Sequence, residues 1–404
     1  MKKPALNVFA GKTSAGVLDR SDREEGTVLF GYHRDLKSAS AVSITMPVRA
    51  DQYDAMGGLL PIFEMNLPEG ALRERLRMQF AKAIPEFDDL DLLAIVGASQ
   101  IGRLRYSQGD LDETVPAQSL EEILTYKGGA ELFAHLLERF STYSGISGIQ
   151  PKVLLRDVAP PEKITHRGAT HIVKSFDPAE FPELAANESI CTVGAAAAGI
   201  KTARVQLSDN RQFLVVDRFD LGHGGQYLGI EDFCVLDGRR AQGRYDGSYE
   251  GVARRLTDFV SPQRLAEARE QYALMVAYAC ATENGDAHLK NFSVLYEHPE
   301  TAVALAPAYD LVSTTPYIPR DTLALTLNGS KTFPDRAGLL RFIRHVTGKN
   351  AAAAGDVIDQ VAVGVQAAVG EATGYASRHA DASKFAEKLK AALTRGLNRL
   401  AEGR

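Results

Sequence analysis

The chain has 404 residues, 45% of them hydrophobic and 24% charged, with a formal net charge of −5 and a pI near 6.0. This composition supplies enough apolar side chain for two or three domains or lobes, and it excludes a globally basic nucleic-acid binder while leaving a local basic patch open. No apolar run reaches membrane-span length, the lysines of MKKPALNVFAGK precede no long apolar region of a signal peptide, and Cys191, Cys234 and Cys280 are scattered, which argues against a disulfide framework or a zinc site and for a reducing cytoplasm.

In chain order, LNVFAG, GVLDR, TVLFGYH and SAVSITMPVRA alternate with period two between Gly, Asp and Ser breaks and predict strands. LLPIFEMNLPEGALRERLRMQFAKAI then places apolar residues at helical spacing, DDLDLLAIVGA predicts a short helix, and IGRLRYS returns as a strand. SLEEILTYKGGAELFAHLLERFSTYS is helical, interrupted at Gly128 and Gly129, with Ser119 and Glu122 spaced as a capping box. From about residue 144 the character turns to β: GIQPKVLLRDV, THIVKSF, ARVQLSD and RQFLVVDRFD predict strands around one helix, FPELAANESICTVGAAAAGI, which Gly199 closes. EGVARRLTDFV, PQRLAEAREQYALMVAYACAT, AGLLRFIRHVTG and the Ala-rich tail are helical, with strand-like pieces between 291 and 328. This order divides the chain into an α+β subdomain over 1–107, a β-rich lobe over 108–220 and a helical lobe over 221–404.

The stretch NGDAHLKNFSVLY carries the chemistry. Asn284 and Gly285 stop an apolar helix, Asp286 sits on the loop, and Asn291 follows five positions later. FSVLYE, a turn at HPE and TAVALAPAYDL predict a hairpin, whose outer ends, Asn291 and Asp310, become neighbours. An amide oxygen and a carboxylate are hard ligands that suit Mg²⁺, which completes its shell with phosphate and water. Phosphoryl transfer by kinases uses this set: an Asp to take the hydroxyl proton, an Asn five residues on, and a second Asp beyond a hairpin to hold metal. The flanking residues differ from H-R-D-x-x-x-x-N and D-F-G, although the Asp-to-Asn spacing is kept. The competing reading is a polar helix–strand loop.

The β-rich part offers the other half. Lys174, in the strand THIVKSF, and Glu188, in the following helix, match the strand-lysine and helix-glutamate pair that orients phosphates; the bland alternative is two unrelated surface charges. SGISGIQPK, with Gly145, Gly148, Gln150 and Lys152, allows backbone amides near a phosphate but is neither a Walker A nor a G-x-G-x-x-G loop, and Lys152 reaches either phosphate or solvent. Asp217 and Phe219 end the last strand where a hinge meets adenine, or are an ordinary strand end. His288 and Lys290 read as loop supports or phosphate contacts.

Together SGISGIQPKVLL, THIVKSFDPAEFPELAANE, LVVDRFD, NGDAHLKNFSVLY and LAPAYDLVST, with ITMP and NLPEGALRERL upstream, resemble the HipA family, the toxin kinases of bacterial HipBA toxin–antitoxin modules. The resemblance spans nearly the whole chain. It implies a two-lobed protein-kinase-like α+β fold, with an added N-terminal subdomain, a β-rich lobe and an all-helical C-terminal lobe, using ATP and Mg²⁺ to phosphorylate Ser or Thr on a protein. By that resemblance Asp286 is the base, Asn291 and Asp310 hold metal, and Lys174 binds phosphate. The 145–152 loop resembles the family's flexible phosphate loop, which can carry an inhibitory autophosphorylation site. Gly145 departs from the usual serine there, so Ser147, or failing that Ser144, would take that place. The implied partners are a small helix-turn-helix antitoxin, HipB, operator DNA mainly through it, and a protein substrate such as an aminoacyl-tRNA synthetase. A small-molecule kinase on the same scaffold and a catalytically weak corepressor stand as the alternatives.

Overall fold

The computed structural model describes residues 3–22, 26–55, 57–84, 86–129, 131–148, 150–158 and 167–402. The chain opens with β1 (Leu6–Ala10), β2 (Thr13–Arg20), β3 (Val28–Tyr32), β4 (Tyr53–Ala55), α1 (Pro61–Glu64), α2 (Gly70–Phe80), α3 (Asp89–Val96) and β5 (Leu104–Ser107). Then come β6 (Ala117–Gln118), α4 (Leu120–Leu124), α5 (Glu131–Phe140), β7 (Lys152–Asp157), β8 (His171–Lys174), α6 (Leu184–Ala197), β9 (Val205–Leu207) and β10 (Leu214–Asp217). The remainder is β11 (Gly229–Asp232), α7 (Phe233–Leu236), α8 (Tyr249–Phe259), α9 (Pro262–Ala281), β12 (Ser293–Tyr296), β13 (Ala304–Leu305), α10 (Arg336–Thr347), α11 (Ala351–Arg378) and α12 (Ser383–Ala401). Two compact units result. One comprises Met1–Ser175, Ser208–Ala241 and Leu295–Ala302; the other comprises Phe176–Leu207, Gln242–Val294 and Val303–Arg404.

The first unit is β-rich. Its N-terminal sheet runs β4-β3-β2-β1-β5, antiparallel throughout. The period-two pattern of β1 sends Leu6, Val8 and Ala10 inward, onto Phe63 of α1, Leu72 and Leu76 of α2, and Leu92 and Leu93 of α3. A second sheet joins β6, β7, β8 and β10, where Val153, Leu155, Val173 and Val215 pack under Ile123 of α4 and Phe133 and Leu136 of α5. Between the two sheets' cores runs a buried polar seam. Arg218 pairs with Asp220 at 2.5 Å, Asp220 accepts the Gly102 amide at 2.6 Å, and Arg218 donates to the Gln100 carbonyl at 2.9 Å.

The second unit is predominantly helical. α6, α8, α9, α10, α11 and α12 bury the apolar stripes predicted for them, and no helix among the described residues is long and apolar enough to cross a membrane. All three cysteines are free and buried; burial pushes the Cys191 and Cys280 thiols up to about 12, so they behave as small apolar residues. Gly199 closes α6 with φ +78°, as the sequence predicts.

Three expectations fail locally. SAVSITMPVRA forms a 3-10 turn at Ser38–Ser40 and an isolated Ser43–Met46 bridge, not a strand. Buried Glu231 takes the Ser43 hydroxyl and the Ile44 amide, and the Tyr32 hydroxyl takes the Val42 amide, so side chains satisfy groups a ladder would otherwise pair. The helix expected over 59–84 breaks between Glu64 and Gly70, because Pro68 has no amide to give and the Asn66 side chain turns to the Ile101 carbonyl at 2.8 Å. The Ser119 hydroxyl accepts the Glu122 amide at 3.2 Å, but Glu122 completes no capping box; its carboxylate takes the Gln118 amide instead.

Helix α11 crosses α6 at two glycines. A Cβ at Gly364 would strike Ala198 and the Gly194 carbonyl, while a Cβ at Gly370, on the same helix, meets nothing within 4 Å. Both Gly→Ala changes gain about 1 kcal/mol of helix propensity. Gly370→Ala should therefore raise the unfolding midpoint, and Gly364→Ala should lower it, because crowding costs about 1–3 kcal/mol. Thermal melts of the two variants check this.

Candidate active site

Helix α9 is buried along its last turns, from Tyr272 to Ala281, so it acts as a rigid post for the loop that follows. The helix does not end on Asn284 and Gly285. It ends at Ala281, and the left-handed residue is Glu283, φ +54°. Gly285 is needed for space: any Cβ there would strike the Asp321 carboxylate. The Asn284 side chain then accepts the Asp286 amide at 2.9 Å, and the Asp286 carbonyl accepts the His288 amide at 2.8 Å. Ala287 and Leu289 are buried, with the Tyr249 hydroxyl on the Ala287 carbonyl at 3.0 Å. This alternation leaves Asp286 exposed, His288 and Lys290 half-buried and Asn291 buried. The run is ordered because its apolar members are plugs and its polar members are pinned.

The Tyr245 hydroxyl donates to Asp286 Oδ1 at 2.7 Å, and its ring meets the His288 ring edge-on at 5.0 Å. His288 Nε2 lies 3.9 Å from the same oxygen. Burial holds the His288 pKa below its ordinary value; Asp286 and Asp310 oppose that, while the Arg244 and Lys290 cations add to it. The imidazole is therefore neutral at neutral pH.

Strand β12 leaves Asn291 and returns through β13. The return closes on itself: the Ala306 amide reaches the Ser293 carbonyl at 2.9 Å, and the Tyr309 hydroxyl reaches the Lys290 carbonyl at 2.8 Å. Asp310 follows in a left-handed conformation, φ +54°. It acts electrostatically on His288, as Asp286 does. The hairpin thus brings the loop carrying Asp286 and Asn291 beside the segment carrying Asp310.

Asn291 Oδ1 is buried and finds no hydrogen-bond donor among the described residues. Buried amide oxygens are almost always satisfied. An orphaned hard oxygen on a loop pinned to the segment that carries Asp310 is what a hard cation would complete, so these residue types fit the Mg²⁺ read from the sequence.

In the first unit, Lys174 is buried at the end of β8. Lys152 is buried at the start of β7, and its ammonium lies over Gly148, φ +122°, where a side chain would collide with it. Gln150 is half-buried just before β7, and Ile149 of the same loop lies outside the described residues. The Ser147 hydroxyl donates to the Glu69 carboxylate. Ser144 is wholly buried, donating to the Phe140 carbonyl at 2.7 Å and accepting the Leu154 amide at 2.9 Å. Asp217 ends β10 with His171 Nε2 3.5 Å away, and Phe219 packs against the N-terminal core. Glu188 is buried on α6 of the second unit.

Residues 6–107 match the HipA N-terminal domain, and residues 144–369 match the HipA-like C-terminal domain. The chain belongs to the HipA family. It is 26% identical to "Putative kinase Y4mE" of Sinorhizobium fredii over 78% of this chain and 81% of that protein. It is 38% identical to "Putative kinase Y4dM" of the same organism, a match that spans 30% of this chain and 28% of Y4dM. Its structure superposes on HipA of Shewanella oneidensis, solved with HipB and its operator DNA, with a TM-score of 0.69 at 20% identity, covering 98% of this chain and 97% of that one. The mixed α+β architecture is therefore that of HipA.

Several residues around this candidate site escaped the sequence reading. Asn187 of α6 is fully buried and grips Ser313 at both ends, its Nδ2 on the carbonyl at 2.8 Å and its Oδ1 on the amide at 3.0 Å. Glu283 is buried with Arg395 at 2.5 Å, Arg399 at 2.8 Å and the Thr315 hydroxyl at 2.5 Å on its carboxylate. Burial alone would raise its pKa, but the hydrogen bonds from Arg395, Thr315 and Arg399 outweigh it, and the net direction is down from 4.5.

A carboxylate held below its unfolded value stabilises fully above that value, and the contribution fades as pH falls through the folded pKa. Glu283→Gln should therefore lower stability by about 1–3 kcal/mol near pH 7. The gap to the unaltered chain should hold down to about pH 4.5 and narrow only as pH falls further, through the lowered folded pKa. Urea titrations across that range check the sign.

Proposed function

We propose that this chain is an ATP- and Mg²⁺-dependent serine/threonine protein kinase, the toxin member of a HipBA-type pair. The observation that carries the reading is the pairing, within one unit, of an exposed carboxylate with a buried, donor-less amide oxygen five residues on and a second carboxylate returned to it by a hairpin. In this reading Asp286 accepts the proton of the acceptor hydroxyl, and the Tyr245 hydroxyl fixes the orientation of that carboxylate. Asn291 Oδ1 and Asp310 would hold the metal, whose chemistry when bound would be to neutralise phosphate charge. Within the first unit, Lys174 and the amides of Gly148 and Gln150 are the candidate phosphate contacts that the family resemblance implies; within the second, neutral His288 packs the loop without adding a competing cation. Such a site works by positioning and charge neutralisation rather than by covalent chemistry.

Family membership supports a protein hydroxyl as acceptor, with an aminoacyl-tRNA synthetase as the implied class. The Shewanella HipA structure, solved with HipB and operator DNA, supports a HipB-like partner that brings this chain to DNA. The chain's own net charge of −5 fits contact with DNA made through that partner.

Asp286→Asn should lower phosphate transfer from labelled ATP to lysate proteins by roughly 10²–10⁴-fold while leaving the melting temperature near that of the unaltered chain. Asn291→Ala and Asp310→Ala should raise the Mg²⁺ concentration needed for half-maximal nucleotide binding. Labelled protein bands that persist undiminished with Asp286→Asn would remove Asp286 as the base. Label appearing only in small molecules would move the acceptor to that class.

A further inference from the structure

We propose that Glu283, gripped by Arg395 and Arg399 of α12, is a positioning residue for the loop that carries Asp286, so that the C-terminal helix is part of the active-site apparatus. The inference rests on the kinase reading of Asp286 for its activity arm only.

Glu283 is the joint at which three segments meet. Its left-handed backbone, φ +54°, turns the chain from α9 into the loop. A non-glycine residue persists there only when its surroundings hold it. Its carbonyl accepts both the Thr314 amide at 3.1 Å and the Thr314 hydroxyl at 3.0 Å. The same Thr314 oxygen accepts the Gly285 amide at 2.9 Å. Residues 283 and 285 are thereby pegged to the segment that follows Asp310. From there the constraint passes through Asn284, whose side chain holds the Asp286 amide at 2.9 Å.

The carboxylate end is fixed from α12. Arg395 and Arg399 stand one turn apart on that helix; Arg395 gives Glu283 two hydrogen bonds, at 3.1 and 2.5 Å, and Arg399 gives one at 2.8 Å. Arg399 also reaches the Cys280 carbonyl at 3.4 Å, at the end of α9. The helix approaches this closely because residue 396 is glycine: a Cβ there would run into the Ala281 carbonyl oxygen. Glu283 retains only 4% of its side-chain exposure, while Arg395 keeps 51%. A buried charge has two cationic partners on a helix more than a hundred residues away, and its backbone sets the start of the reactive loop.

A brace needed only for stability would lower the melting temperature and leave turnover per folded molecule unchanged. A positioning group does something different. At a temperature where all variants are folded, Arg395→Met should lower kcat by about ten- to hundredfold, with KM for Mg·ATP changed by less than about threefold, and Arg395→Lys should recover part of the loss. Combined with Asp286→Asn, Arg395→Met should add little further loss, since both changes act through one group. Independently of turnover, hydrogen exchange of residues 284–288 and 313–315 should quicken in Arg395→Met while the centre of α9 stays protected. Unchanged exchange in those two segments overturns the proposal, whatever the activity. Unchanged kcat with Asp286→Asn inactive also overturns it, and leaves the kinase reading standing. Full activity in Asp286→Asn, with exchange quickened by Arg395→Met, sinks the kinase reading and leaves the mechanical coupling in place.

Discussion

The hydrogen bond from the Tyr309 hydroxyl to the Lys290 carbonyl, 2.8 Å, closes a hairpin on which the whole candidate site depends. Asn291 and Asp310 come from different segments, which the hairpin returns to one another. The hairpin itself is slight, with β13 only two residues long. A two-stranded element of that size is marginal by itself. It stands because β12 also pairs with β11 in a three-stranded sheet, because Val294 and Phe292 are buried, and because Ser293 shares its hydroxyl with Tyr309 at 2.5 Å. Packing therefore sets the geometry, and the polar residues inherit it.

The same logic runs through the supports. Asn187 holds Ser313, Glu283 holds Thr314 and Thr315, and both act on the chain just after Asp310. Each is a buried polar group whose hydrogen bonds are made within the protein. Leaving such a group unpaired costs about 1–3 kcal/mol, which is why these networks fix one arrangement. Asn291 Oδ1 is a buried oxygen with no donor among the described residues, and His288 Nδ1 and Ser313 Oγ in the same region also find no partner there.

Much of this was legible in the sequence. The buried post α9, the Asp-to-Asn spacing and the returning hairpin follow from apolar periodicity and turn residues, which are local signals. The strand-bearing Lys174 and the α6 helix with Glu188 were legible for the same reason. What was not legible depends on residues far apart in the chain. Nothing local marks Arg395 as the partner of Glu283, and a glutamate is a poor candidate for a left-handed turn beside an Asn-Gly pair. Tyr245 reads as an ordinary surface aromatic until it is seen on Asp286. The stretch SAVSITMPVRA shows the converse: its alternation is real, but Glu231, nearly two hundred residues on, takes the groups that would have paired in a ladder.

The most direct test of the account is a crystal grown with Mn²⁺ and a non-hydrolysable ATP analogue, with the ion located by its anomalous scattering. The account predicts one peak bonded to both Asn291 Oδ1 and the Asp310 carboxylate at roughly 2.0–2.2 Å, bridging to phosphate oxygens, with Asp286 facing the terminal phosphate. An ion bound elsewhere, with Asn291 Oδ1 turned to a protein donor, would contradict it.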